Sequence, residues 1–305
     1  MANKAKRVKH GSPAVTAILN VIALLIGLAT LYPLVFIISN SISTPIEAAM
    51  GNVWLLPRGF SLQAYYFILQ SDALGRAFFN SVVYTAFITV ANVAVSMMCG
   101  YGLSKKDLFG KKIIQLYIVL PLWFSAGLIP VFLNMTRLGL VNTLWAVFLP
   151  SFVSIFNVIL ARTFITRLPY GIIEAAMIDG ASVPYRFFNI VLPLCKPIIA
   201  VLALFTALGA WNEWFSYMIY LPTSNELHPL QFFLVRALLR GRALAELDLM
   251  DAMTMADAQA RLAMSHVAAQ LSYATIIVAT VPIMFLYPFI QKHFIQGIMI
   301  GSLKE

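Results

Sequence analysis

Between residues 167 and 197 the chain reads Arg167-Leu-Pro-Tyr-Gly-Ile-Ile-Glu-Ala-Ala-Met-Ile-Asp-Gly-Ala-Ser-Val-Pro-Tyr-Arg-Phe-Phe-Asn-Ile-Val-Leu-Pro-Leu-Cys-Lys-Pro197. A linker of this length would be polar, but this one is not. Tyr170 to Ile178 carries a helix-like pattern, Gly180 offers a break, and Val183, Phe187 and Ile190 recur at helical spacing beside Arg186 and Asn189. The pattern predicts a helix-turn-helix lying on a membrane surface, because what flanks it on both sides is apolar enough to span a bilayer.

Of the 305 residues 61% are hydrophobic and only 11% charged, against about 25% charged in soluble domains, and the mean hydropathy is +0.85. These values exclude a disordered chain, a collagen-like fibre and a disulfide-stapled secreted domain. A spanning helix needs about 20 apolar residues, and the charge-free intervals supply six: Val15 to Ser39, Phe78 to Tyr101, Ile113 to Met135, Leu140 to Ala161, Pro197 to Tyr220 and Ala268 to Gln291. They lack the period-2 alternation of a membrane barrel, so an all-α integral membrane fold is expected.

The net charge of +9 could point to nucleic acid, but in so apolar a chain basic residues are read first by position relative to the membrane. Lys4, Lys6, Arg7, Lys9, Lys105, Lys106, Lys111, Lys112, Arg162, Arg167, Arg186, Lys196, Lys292 and Lys304 fall on one side of the six-span arrangement. Arg58, Arg76, Arg137, Arg236, Arg240, Arg242 and Arg261 fall on the other. The excess marks the cytoplasmic face, which puts both termini and the 167–197 segment inside and predicts no nucleic-acid role. The charge-free run from Gly11 to Ile46 is far longer than the apolar core of a secretory signal, about 7 to 15 residues, and reads as a retained first helix. Cys99 and Cys195 fall on different segments, and packing is expected for each rather than a bridge.

Within the quoted segment, Glu174-Ala175-Ala176 is followed after three residues by Gly180, and after nine more by Ile190, one residue and Leu192-Pro193. This resembles the EAA loop of the membrane subunits of ABC importers, and Asp179-Gly180-Ala181 resembles the core found in the sugar branch. Trp211-Asn212-Glu213 is similar to the Trp-Asn-acid motif of carbohydrate permeases. Tyr32-Pro33-Leu34 with Ser39 to Ser43, and Tyr287-Pro288-Phe289 through Gly297, Gly301, Ser302, Leu303 and Lys304, resemble their first helix and C-terminal tail. The chain looks closest to the maltose-type second permease subunit, in the branch associated with oligosaccharides and polysaccharide fragments.

The resemblance implies a type I importer permease fold over residues 1–305, with a basic tail at 1–13, a six-span core at 15–291 and a cytoplasmic coupling loop at 167–197. An extracytoplasmic loop at 221–267 and a cytoplasmic tail at 292–305 complete it. It implies an ATPase-coupling site of Glu174, Ala175, Ala176, Asp179, Gly180, Ile190, Leu192 and Pro193, in which Glu174 makes polar contacts to a nucleotide-binding subunit and Gly180 makes the turn. The implied partners are a second, different permease, two ATPase subunits, an extracytoplasmic sugar-binding protein and the lipid bilayer, in a bacterial cell membrane. No Gly-x-x-x-x-Gly-Lys-Ser/Thr sequence occurs, so ATP and Mg are expected on the partner chains, with no cofactor and no catalysis on this one.

Glu213 is the only acid in any expected span, and an ionisable group at membrane depth is a functional hypothesis by default. On a continuous helix Glu213 and Tyr217 share one face, Trp211 and Trp214 another, with Asn212 between. This group could line a sugar pathway; alternatively Glu213 pairs with a neighbouring helix to hold a gate or subunit interface, or sits at a solvated mouth. Asn134, Asn142 and Asn157 read as helix-to-helix glue. Trp54, Trp123 and Trp145 read as interfacial anchors, and Pro121, Pro130, Pro150 and Pro282 as kinks or ends. His10, His228, His266 and His293 lack ligand spacing, so no metal site is expected. A competing class is a secondary transporter that couples an ion gradient through Glu213, for which the inverted repeats are not evident.

Overall fold

The computed structural model describes residues 13–124, 126–236 and 266–284, and every regular element among them is helical. The chain divides into two compact units, Met1–Ile68 with Leu239–Val278, and Leu69–Leu238 with Ala279–Glu305. Expectations for the basic tail, for residues 237–265 of the long loop and for everything after Met284 lie outside the described residues.

In the first unit α1 (Pro13–Ser41) carries no charge, and no side chain from Ala14 to Ile38 is buried. Its last carbonyls, which no helical turn can satisfy, end in a seam of small polar residues. Ser39 Oγ donates to the Leu55 carbonyl at 2.6 Å, Asn40 Nδ2 to Val53 at 3.2 Å, and Ser43 Oγ to Ser39 at 2.6 Å. Gln270, fully buried, donates to the carbonyls of Ser43 and Ser61 at 2.7 and 2.9 Å. The serines after the first span therefore hold an irregular connection, through α2 (Pro45–Ala49) to α3 (Gln63–Gln70).

The second unit is built along α4 (Asp72–Ser104), whose first turn is capped by Ser71 accepting from the Leu74 N–H. At 1.5 Å per residue it runs roughly 50 Å, more than the ~30 Å hydrocarbon core. Near its start, Tyr84 and Ile88 pack with Met135, Phe148, Tyr217 and Leu221; near its end, Met97 and Tyr101 pack with Ala161, Phe187, Cys195 and Leu202. The second crossing is close because both residues at it are small. A Cβ on Gly100 would lie 2.7 Å from that of Ala161, so nothing larger than glycine fits.

Four helices are long and apolar enough to cross a membrane among the described residues: α1, α4, the Trp145–Thr166 stretch of α7 (Trp145–Ser151) and α8 (Ile155–Thr166), and α13 (His266–Met284). A fifth results if α10 (Val183–Leu194) and α11 (Lys196–Asn212), bent by 81°, form one span. The third expected span is not one helix. α5 (Lys111–Val119) gives way to a 3-10 turn at Leu120–Leu122, where Pro121 lacks a donor, and α6 (Leu128–Arg137) begins only after Gly127 at φ +81°. The fifth expected span also stops short, at Asn212, and resumes as α12 (Phe215–Tyr220).

Candidate functional site

Midway along α4, between the two packed clusters, lies a polar knot. Asn157 on α8 donates through Nδ2 to Asn92 Oδ1 at 2.8 Å and to Thr206 Oγ1 at 3.0 Å, and Thr206 in turn donates to Asn92 at 3.1 Å. Asn92 Nδ2 donates to the Ser151 carbonyl at 2.8 Å, one of those freed where α7 ends. In apolar surroundings each of these amides needs its partners, so the knot fixes α4, α8 and α11 in one register. Beside it opens a cavity of about 460 Å³ whose polar wall is Asn92, Ser151, Ser154, Asn157, Thr206 and Glu213.

Glu213 reaches this cavity because the helix ends one residue before it. Its backbone is extended (φ −72°, ψ 120°), and Oε1 accepts the Ser216 N–H at 2.8 Å, satisfying a donor that the start of α12 leaves open. The helical-wheel arrangement expected for residues 211–217 therefore does not hold, since an extended residue interrupts the 100° period. Trp211 is buried, donating from Nε1 to the Ala279 carbonyl at 3.1 Å with its ring edge-on to Phe78. Tyr217 is buried against Tyr84, rings stacked at 5.9 Å. Asn212 turns back to the Leu208 carbonyl and Trp214 packs on Phe215. Of the five residues named from sequence, Glu213 alone lines the cavity.

Sequence reasoning took Asn157 for glue, which its bonds bear out, and passed over Asn92 and Thr206. A signal was present: Asn92 and Ser96 stand four apart in an apolar run, on one helix face. Asn142 holds a different join, at φ +64°, where its N–H donates to the Tyr220 carbonyl at 2.7 Å and its Oδ1 accepts the Thr223 hydroxyl at 2.9 Å. Cys99 is exposed, Cys195 buried, and both are free thiols. No cluster of three metal-ligating side chains occurs among the described residues.

The 167–197 segment folds as α9 (Tyr170–Ile178), a tight turn, and α10. Asp179 closes α9; the Gly180 N–H reaches the Met177 carbonyl at 3.1 Å and the Ala181 N–H the Ala176 carbonyl at 2.9 Å. This pair of bonds requires the left-handed backbone that Gly180 supplies at φ +75°. Ser182 then caps α10, accepting the Tyr185 N–H. Within α10 a π-helical turn at Arg186–Val191 widens the coil. It turns Phe187 and Val191 inward, with Phe187 at 5.2 Å from the Tyr101 ring.

α9 itself buries no side chain. Glu174, Ala175, Asp179 and Gly180 are exposed and Ala176 is half-buried, while Ile172 and Ile178 also face outward. Ile190 and Leu192 are half-buried, and Pro193 is exposed just before the 81° bend at Cys195. The Lys106 ammonium lies 4.1 Å over the Tyr170 ring and ties the loop after α4 to the start of α9.

No protein-family model matches the chain. It is 35% identical over 283 residues to Protein LplC of Bacillus subtilis (strain 168), covering 92% of this chain and 91% of that one. Over 286 residues it is 34% identical to the polygalacturonan/rhamnogalacturonan transport system permease protein YtcP of the same organism, covering 92% and 95%. Among solved structures it superposes, with a TM-score of 0.82 and 29% identity, on a chain of a bacterial ABC transporter involved in the import of the acidic polysaccharide alginate. That match covers 94% of this chain and all of the other.

Proposed function

The chain belongs to the family of carbohydrate ABC transporter permeases, multi-pass membrane subunits without a catalytic centre of their own, and from that premise we propose how it works as a sugar importer's membrane subunit. It forms one half of the transmembrane pathway for an oligosaccharide or polysaccharide fragment. The other half is a second, different permease; two ATPase subunits bind ATP and Mg on the inner face, and an extracytoplasmic binding protein delivers the sugar. Both termini and α9 lie on the cytoplasmic side of a bacterial cell membrane.

The observation that carries the coupling reading is α9: an exposed, largely apolar helix on a segment otherwise locked to the core. Such a face requires a partner, and an ATPase cleft is the partner that the family supplies. Closure of the ATPases moves α9, the Gly180 turn and Ser182 cap pass the motion to α10, and Phe187 and Val191 deliver it to α4 and α11. The bend at Cys195 and the break at Glu213 let the ends of α11 move differently, and the polar knot keeps its middle fixed. The cavity beside Glu213 is then a stretch of pathway wall. An ion-gradient role for Glu213 is not favoured beside this, because the relatives are ABC importer permeases, and one oxygen of its carboxylate accepts the Ser216 N–H at the start of α12.

The test is sugar-stimulated ATP hydrolysis and uptake by the reconstituted assembly, comparing wild type with Glu174→Ala and Gly180→Pro. Both activities fall together in both variants while the subunits still assemble. Uptake indifferent to both substitutions contradicts the coupling role of α9.

A further inference from the structure

At the end of α4 that bears Ser71, residues 225–236 fold back over the first turns of the helix. Two bonds hold the join: Asn80 Nδ2 donates to the Glu226 carbonyl at 2.8 Å, and the Leu230 N–H donates to Ser81 Oγ at 2.7 Å. Between them lies a second cavity, of about 280 Å³, lined by Arg76, Ala77, Asn225, His228, Phe232 and Arg236 among others. Arg76 meets the Glu226 carboxylate at 3.3 Å at the exposed rim. Among the described residues Arg236 donates to the Asn225 amide oxygen, at 2.9 Å, and meets no carboxylate. His228 donates from Nε2 to the Leu221 carbonyl at 2.8 Å, and its ring lies 4.2 Å from that of Phe232.

The chemistry of this wall is selective. Among the described residues two guanidiniums face one carboxylate, a net positive charge in a fork geometry that matches a carboxylate. Asn225 and Glu226 supply hydrogen-bonding groups for hydroxyls, and Phe232 and Phe233 supply flat apolar surface, which suits the C–H face of a sugar ring. The volume is at the small end for ligand sites, enough for one unit of a chain and not for the chain.

We propose that this cavity is a subsite for an acidic sugar, in which Arg236, with Arg76, holds the carboxylate of one uronic acid unit at the outer mouth of the permease. The proposal rests on the importer reading above, under which this end of α4 faces outward. It makes the permease itself a contributor to cargo selection: a uronate-bearing oligosaccharide is held by its charge, and a neutral one of the same length is not.

The test uses the full chain in lipid nanodiscs and measures binding of trigalacturonate, its methyl ester and maltotriose, with inorganic phosphate as a competitor. Trigalacturonate is expected to bind at least about tenfold more tightly than the ester or maltotriose, since a hydrogen bond to a charged group carries that much. Arg236→Gln removes this preference, and phosphate competes only weakly. Arg236→Lys, which keeps the charge and loses the fork, recovers part of it.

Equal binding of acid and ester overturns the proposal, as does full competition by phosphate, which marks a general anion site. So does an Arg236→Gln variant that binds trigalacturonate normally and loses only docking of the binding protein. Uptake by the reconstituted importer separates the two levels. If neutral oligosaccharides are carried and trigalacturonate is not bound, the importer reading stands and the acidic subsite falls; if no saccharide is carried, both fall.

Discussion

Asn157 and Asn92 show how much one amide decides in this fold. Replacing Asn157 by leucine removes two donated bonds and leaves the Asn92 oxygen to Thr206 and Ser96. Interhelical hydrogen bonds in membranes average well below their worth in vacuum, so the expected cost is about 1 kcal/mol. It is read as a lowered unfolding midpoint of the purified chain; an unchanged midpoint would mean that the knot contributes no stability. His228 gives a pH signature outside the spans. Burial pushes its pKa below the ordinary 6.5, the hydrogen bond to Leu221 pulls it up, and Arg236 pushes it down again. The unfolded chain thus takes up a proton before the folded one does. Its contribution is present above about pH 6.5 and is lost as pH falls through the lower folded value. Wild type should lose more thermal stability than His228→Gln between about pH 7.5 and pH 5.5; parallel losses would contradict a buried neutral ring.

At the scale of elements, the glycines carry the sharpest expectations. Gly180→Ala forces a side chain into left-handed backbone at the end of α9 and should cost about 1 kcal/mol locally, seen as faster hydrogen exchange over 170–182 with the spans unchanged. Gly100→Leu pushes α4 off α8 at a crossing already in contact, and should lower the yield of folded chain outright. The first of these was legible in the sequence, because Gly180 sits at a fixed interval after Glu174-Ala175-Ala176, and a turn there has few alternatives. The second was not, because which helix faces Gly100 depends on packing between segments 60 residues apart. The same limit explains Glu213. Composition placed it in a span, but the helix break that exposes it depends on α12 needing an N-terminal acceptor. The interruption of the third expected span was legible in part: Pro121 reads as a kink or end, and Gly127 adds a second break in an apolar run that hydropathy alone counts as continuous.

For the whole molecule, composition was enough to establish a helical membrane protein, and the spacing around Glu174 was enough to point to the family before any comparison. What composition could not give was the route by which α9 reaches the membrane interior. The second unit supplies it: α9 is joined by a built turn to α10, α10 is packed on α4, and the bent α10–α11 pair runs to the polar knot and Glu213. On the proposed reading, energy enters through α9 and not through an ion taken up at Glu213. The direct measurement is oligosaccharide uptake into proteoliposomes holding this chain with its partner permease, ATPases and binding protein. Uptake should require enclosed ATP, persist when ionophores collapse every ion gradient, and survive Glu213→Gln. Uptake that continues without ATP and stops with the gradient would contradict the account.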